Sequence, residues 1–279
     1  MRNEMNTEPI EIGIRLLGPF AAELNHRPVT PSAAKQRQIM ALLALNAGRV
    51  VTVSALTEEL WGDYPPLSSA TTLQTYILQL RNRLAAAVPG RQEIRQLLST
   101  RHGGYLLDET ACQIDIDQFG RLARAGRAAA ETGDPGAASE LLARALALWR
   151  GPALVDVHLG RLLELEATSL EETRLGVLER RIEADLALGR HTDLLGELTL
   201  LAARNPMNEN FCALLMTALY RSGHVARALE AFRRLQAVLR EELGIEPCPR
   251  LRRLQHAVLS GDRALDAGDP TASAAPVTS

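Results

Sequence analysis

Between Ser69 and Ala87 the chain reads SATTLQTYILQLRNRLAAA, and Thr71, Gln74, Thr75, Gln79 and Asn82 gather away from an apolar stripe at helical spacing. These uncharged side chains donate and accept hydrogen bonds, which suits nucleobase edges. Arg81 and Arg83 flank them, and a guanidinium suits a phosphate. The stretch Ile94–Leu107 then reads as a β-hairpin with Arg95, Arg101 and His102 around a Gly103-Gly104 turn. From Ser69 to Tyr105 five arginines stand against one glutamate, a local charge of +4 before His102 is counted. The chemistry on offer is non-covalent: base-edge hydrogen bonding framed by phosphate pairing.

No other cluster of residues competes with it. His26, His102, His158, His191, His224 and His256 are scattered, with no H-E-x-x-H, nucleophile elbow or paired carboxylates. Cys112, Cys212 and Cys248 lack metal-type spacing and are expected to be reduced thiols. There is no G-x-x-x-x-G-K-[ST] phosphate loop. The expectation is a non-enzyme without cofactor or metal.

A base-reading helix has to be held from behind. Leu73, Ile77, Leu80 and Leu84 supply that side. Upstream, residues 10–30 alternate loosely and are broken by Gly18-Pro19 and Arg27-Pro28, which predicts short antiparallel strands. Ile39, Leu42, Leu43 and Leu45 predict a helix over Ala33–Asn46, stopped by Gly48. Val50-Val51 follows as a short strand. A second helix, Ala55–Trp61, can be capped by Thr52 or Ser54 and ends at Gly62, before a Pro65-Pro66 loop. The predicted order is sheet, helix, helix, loop, helix, hairpin.

Beyond Asp108 the composition changes. Strand signals vanish from Asp115 to Ser260, and three helix–Gly–helix turns are centred on Gly133, Gly189 and Gly223. Gly189 and Gly223 lie at the 34-residue period of a tetratricopeptide unit. At the repeat's two packing offsets stand Ala138 and Leu142, Leu194 and Leu198, and Ala228 and Phe232. A longer helix, Leu163–Leu188, separates the first and second units. The fold expected is multidomain: a flexible stretch 1–9, a winged α+β domain 10–110, an all-α tetratricopeptide-like domain 111–262, and a small, polar, disordered tail 263–279.

Length and composition agree. At 279 residues two domains are expected, and with 46% hydrophobic but 4% aromatic residues the cores must come from Leu, Ala and Val. The net charge of −2 means that nucleic-acid affinity must be local. No apolar run approaches the roughly 18 residues that span a bilayer, and the N-terminal stretch lacks a signal-peptide hydrophobic region. A cytoplasmic, nucleoid-associated location without membrane contact is expected.

The residues now described resemble a known family. Leu60-Trp61-Gly62, the Pro65 loop, Thr72-Leu73-Gln74-Thr75-Tyr76, Leu80-Arg81 and Gly104-Tyr105-Leu106 resemble an OmpR-type winged helix-turn-helix. Trp149-Arg150-Gly151-Pro152, Asp185-Leu186-Ala187-Leu188-Gly189-Arg190-His191 and Glu241-Glu242-Leu243-Gly244-Ile245-Glu246-Pro247 are similar to the bacterial transcriptional activation domain. Together they resemble the Streptomyces antibiotic regulatory protein family in its short form, over residues 10–260.

The resemblance implies a pathway-specific activator of antibiotic or secondary-metabolite genes, binding direct repeats near a promoter and recruiting RNA polymerase holoenzyme, with a homodimer on DNA. By position it implies Thr71, Thr72, Gln74, Thr75 and Gln79 at bases or nearby phosphates, and Arg81 and Arg83 on phosphates. Lys35 and Arg37 would anchor the backbone, Arg101 and His102 would reach DNA from the hairpin, and Asp63 and Tyr64 would meet the polymerase. Many relatives carry Arg where Gln79 and Asn82 stand, which implies a shifted base preference. The reader begins near residue 10, so no receiver domain or phosphorylation input is expected. The competing reading is a helical scaffold whose winged domain binds protein.

Overall fold

The computed structural model describes residues 10–88 and 94–266. The expected flexible stretch 1–9 and most of the tail lie outside the described residues. Arg263–Asp266, expected as part of that tail, forms a 3-10 turn whose Leu265 carbonyl accepts from Arg221 Nε at 2.8 Å.

β1 (Ile12–Arg15) and β2 (Ala21–Leu24) pair antiparallel, with Ile12 opposite Leu24 and Ile14 opposite Ala22, and all four side chains are buried. An Asn25-His26 turn, both residues at positive φ, leads to β3 (Arg27–Pro28). α1 (Ala34–Leu45), β4 (Val51–Thr52), α2 (Val53–Trp61) and α3 (Ser69–Ala87) follow as the periodicity predicts. Thr52 caps α2, its hydroxyl accepting from Ala55 N at 3.1 Å.

Two details differ from expectation. Ile94–Leu97, read as the start of the hairpin, is a helical turn, α4, which buries Ile94 and Leu97; Arg95 therefore lies outside the hairpin. The hairpin itself is β5 (Leu98–Arg101) and β6 (Gly104–Leu107), turning through His102-Gly103. Moreover, Cys112–Ile114 forms a strand, β7, parallel to β1. The sheets run β3-β2-β1-β7 and β4-β6-β5. At Gly104 a Cβ would sit 2.2 Å from the Val51 carbonyl oxygen, so glycine is what lets β6 close on β4.

The remaining elements are helices: α5 (Asp115–Glu131), α6 (Pro135–Leu146), α7 (Arg161–Ala187), α8 (His191–Arg204), α9 (Glu209–Arg221), α10 (Val225–Leu243) and α11 (Pro249–Ser260). Gly133, Gly189 and Gly223 sit at the predicted turns with φ of 77–79°, the conformation that ends a helix. Every residue at the repeat's packing offsets is buried: Ala138, Leu142, Leu194, Leu198, Ala228 and Phe232. The architecture is an N-terminal winged helix followed by an all-helical domain. Among the described residues no helix is long and apolar enough to cross a membrane.

Packing divides the described residues into two compact units, one within Met1–Arg121 and Ala145–Arg174, the other within Leu122–Arg144 and Leu175–Ser279. This division departs from a single boundary near residue 110, because residues 145–174 pack with the strands and α1–α3. Leu154, Val157 and Leu163 enter the same apolar core as Ile39, Leu56 and Leu60. Three carboxylates complete the join by accepting backbone N–H groups. Asp115 accepts from Leu16 and Leu17 at 2.8 and 3.0 Å, and Asp156 from Phe20 at 2.6 Å. Glu59 accepts from Gly160, Leu162 and Leu163 at the start of α7, at 2.6, 2.9 and 3.1 Å. Trp149 fills a gap in this unit, edge-on to Phe119 with Arg174 over its face.

Candidate nucleic-acid interface

α3 buries Leu73, Ile77, Leu80 and Leu84 at no more than 2% exposure, against a core shared with α1 and α2. Four buried residues at this spacing fix the helix about its axis. The opposite side must therefore face outward, and Thr71, Gln74, Thr75, Gln79, Asn82 and Arg83 are exposed there. Thr72 is half-buried. Thr75 donates its hydroxyl to the Thr71 carbonyl at 3.0 Å, which leaves the oxygen's acceptor capacity outward. Leu78, 55% exposed, adds an apolar contact to this surface.

The cations divide into exposed and engaged. Arg101 and His102 are exposed at the hairpin turn, and Arg83 is exposed on α3 with one N–H on the Thr30 carbonyl. Arg81 is engaged: its Nε donates to the Leu98 carbonyl and its Nη2 to Thr100 Oγ1, both at 2.9 Å, while the guanidinium lies over the Tyr105 ring. Arg81, expected on a phosphate, latches the hairpin to α3 in this structure, because β5 brings carbonyl and hydroxyl acceptors within its reach.

Lys35 and Arg37 are likewise committed within the protein. Lys35 Nζ donates to the Leu60 carbonyl beside the Trp61 ring, so it ties α1 to the end of α2. Arg37 pairs with Asp156 at 2.8 Å and donates to the Asp156 and Pro31 carbonyls. Any contact of either with a DNA backbone would come on top of these internal bonds.

Two residues outside the predicted set also bond to α3. Gln36 donates its amide N–H to Gln79 Oε1. Arg27, in β3, donates Nη1 to the Ala87 carbonyl at 2.9 Å, against the end of α3. No local pattern marks either, since each lies far from α3 in the chain. The loop Gly62–Ser68 is exposed throughout, with Tyr64 at 90% and Leu67 fully open.

The thiols offer no competing chemistry at Cys112 and Cys212. Burial, reinforced at Cys112 by Asp108, Asp117 and Glu109 and at Cys212 by Glu209, pushes each up to about 12. Both stay protonated at neutral pH.

A base-sized polar face on a pinned helix, beside a basic hairpin, defines a winged-helix transcription regulator. Residues 28–107 match the family model "Transcriptional regulatory protein, C terminal", and residues 114–259 match "Bacterial transcriptional activator domain". The chain is 51% identical over 264 residues to Regulatory protein DnrI of Streptomyces peucetius, covering 94% of this chain and 97% of that one. It is 38% identical to Transcriptional regulator RedD of Streptomyces coelicolor, covering 91% and 72%. The solved structure of Mycobacterium tuberculosis EmbR with a low-affinity phosphopeptide superposes with a TM-score of 0.84 at 33% identity, over 95% of this chain and 69% of that one. The chain belongs to the Streptomyces antibiotic regulatory protein family.

Proposed function

We propose that this regulator activates antibiotic or secondary-metabolite genes by binding direct repeats near their promoters and recruiting RNA polymerase holoenzyme. The observation that carries the DNA-reading step is the outward polar face of α3, with Thr71, Gln74, Thr75 and Gln79 opposite a fully buried leucine stripe. α3 enters the major groove, Arg83 and the hairpin's Arg101 and His102 meet phosphate or the minor groove, and Arg81 holds the hairpin in place. Two copies on adjacent repeats gain affinity through effective concentration. Such a protein works in the cytoplasm, at the nucleoid.

The polymerase contact is assigned to the loop Gly62–Ser68, where an exposed aromatic ring and an exposed leucine stand beside Asp63. Asp63→Ala and Tyr64→Ala are expected to cut transcription in a purified system about tenfold, with DNA affinity changed less than about twofold. Parallel loss of both activities would assign the loop to folding. Wild-type protein should retard promoter DNA, and log affinity should fall linearly with log salt. A protein that ignored duplex DNA in dilute buffer would favour the scaffold reading.

Gln79 sets base preference in this reading. Its carbonyl already accepts from Gln36, so bidentate bonding to adenine draws on the remaining lone pair and the amide N–H. Gln79→Arg is expected to move selection from a random pool toward guanine at one position per half-site. Identical selected sites would end the assignment.

A further inference from the structure

At the far end of α3 from Thr71 lies an open cleft of about 610 Å³. Arg27 from β3 and Gln36 from α1 line one part of it, and Gln79, Arg83 and Ala87 from α3 line another; no carboxylate is among its described lining residues. Arg27 uses one N–H on the Ala87 carbonyl, and Arg83 uses one on the Thr30 carbonyl, at a long 3.3 Å. A guanidinium has five N–H donors, so most of those on both side chains are unengaged. Neither arginine has an ion-pair partner among the described residues. Capping the C-terminus of α3 accounts for a single N–H of Arg27. It accounts for neither Arg83 nor the lack of a balancing anion among the described residues.

We propose that Arg27 and Arg83 together grip one phosphate of the DNA backbone, flanking the bases that α3 reads. This rests on the chain's being a duplex-binding protein, as proposed above. Gln79 lines the same cleft one helical turn before Arg83, so a strand meeting Gln79 at a base edge can present its neighbouring phosphodiester to the two cations. Its two non-bridging oxygens give each guanidinium a charge-assisted acceptor. The grip carries no base information. It fixes how deeply and in what register α3 lies in the groove.

The test uses the full chain and a promoter duplex that the wild type retards, with affinity measured from about 50 to about 200 mM salt. Arg27→Gln and Arg83→Gln are each expected to flatten the log–log salt slope by about 0.9. Affinity at moderate salt should fall about fivefold to tenfold while selected base preferences stay unchanged. A second arm guards against loosening of the helix end in Arg27→Gln. Methylphosphonates placed singly along the duplex neutralise one phosphate at a time for the wild-type protein. One position should weaken the wild type about as much as the substitutions do, and have no further effect on the doubly substituted protein. Unchanged slopes, or methylphosphonate losses that persist in full in the double variant, overturn the grip while leaving DNA binding intact. A wild type that fails to bind any duplex overturns both.

Discussion

Glu59→Ala lowers the stability of the strand-containing unit by about 3 kcal/mol, and with it the melting temperature by roughly 10 °C. Glu59 is 2% exposed, yet its carboxylate is fully used. Three backbone N–H groups at the start of α7 and the Gln38 side-chain amide donate to it. A helix start leaves such donors without intrahelical partners and carries partial positive charge, so a buried carboxylate is a matched occupant. Truncation strands them in a site with little water. Gly160 adds a steric demand: a Cβ there would lie 2.2 Å from the Glu59 carbonyl oxygen, so only glycine allows this approach. Glu59→Gln keeps the shape and one acceptor, and is expected to cost about 1 kcal/mol. Thermal melts of both variants check the ordering; equal, small losses would mean that water replaces the carboxylate.

The second large effect belongs to the other unit. Asp185→Ala is expected to destabilise it by about 3 kcal/mol. Asp185 is 6% exposed and accepts from Ser139 Oγ at 2.7 Å, Arg190 Nη1 at 2.8 Å and Arg181 Nη1 at 3.1 Å. Without it, Arg181, 13% exposed, retains Glu197 alone as a counter-charge, and the Ser139 hydroxyl loses its acceptor. Burial pushes the Asp185 carboxyl up, but the hydrogen bonds from Ser139, Arg181 and Arg190 outweigh it and hold the group below the ordinary aspartate range. A depressed carboxyl stabilises the fold above its unfolded value, about 4, and that contribution is lost as pH falls through the lower folded value. Acid should therefore melt this unit less steeply in Asp185→Asn than in the wild type. Asp115 has the opposite sign: burial outweighs its N–H donors and raises it, so its contribution declines as pH climbs from the unfolded value through the folded one. Circular dichroism between about pH 2 and about pH 5 reads both slopes; an Asp185→Asn curve as steep as the wild type's would remove Asp185 from the acid transition.

Asp185 also explains part of a motif that was legible only as a resemblance. In Asp185-Leu186-Ala187-Leu188-Gly189-Arg190, the aspartate and arginine close the α7–α8 turn by side chain and by backbone, since Arg190 N also donates to the Asp185 carbonyl at 3.0 Å. Gly189, at φ 77°, permits the reversal. The same logic applies near Glu246, which accepts from Arg240 and Gln236 after Gly244 ends α10. These residue types were visible in the sequence, but their pairing was not.

What the chain spells out locally it determined alone. The bounds of α3, its leucine stripe, the outward Thr and Gln side chains and the glycine turns between helices all follow from 3.6-residue periodicity and from residues that tolerate positive φ. Interactions of that kind span a turn or two, so a short window contains both partners. Tertiary structure decided the rest. It made Arg81 a latch, committed Lys35 and Arg37 to acceptors of the protein itself, recruited Cys112–Ile114 as a strand and brought Arg27 beside Arg83. Each of those outcomes joins groups far apart in the chain, and a side chain's choice of partner is settled only when folding brings the competing acceptors within reach.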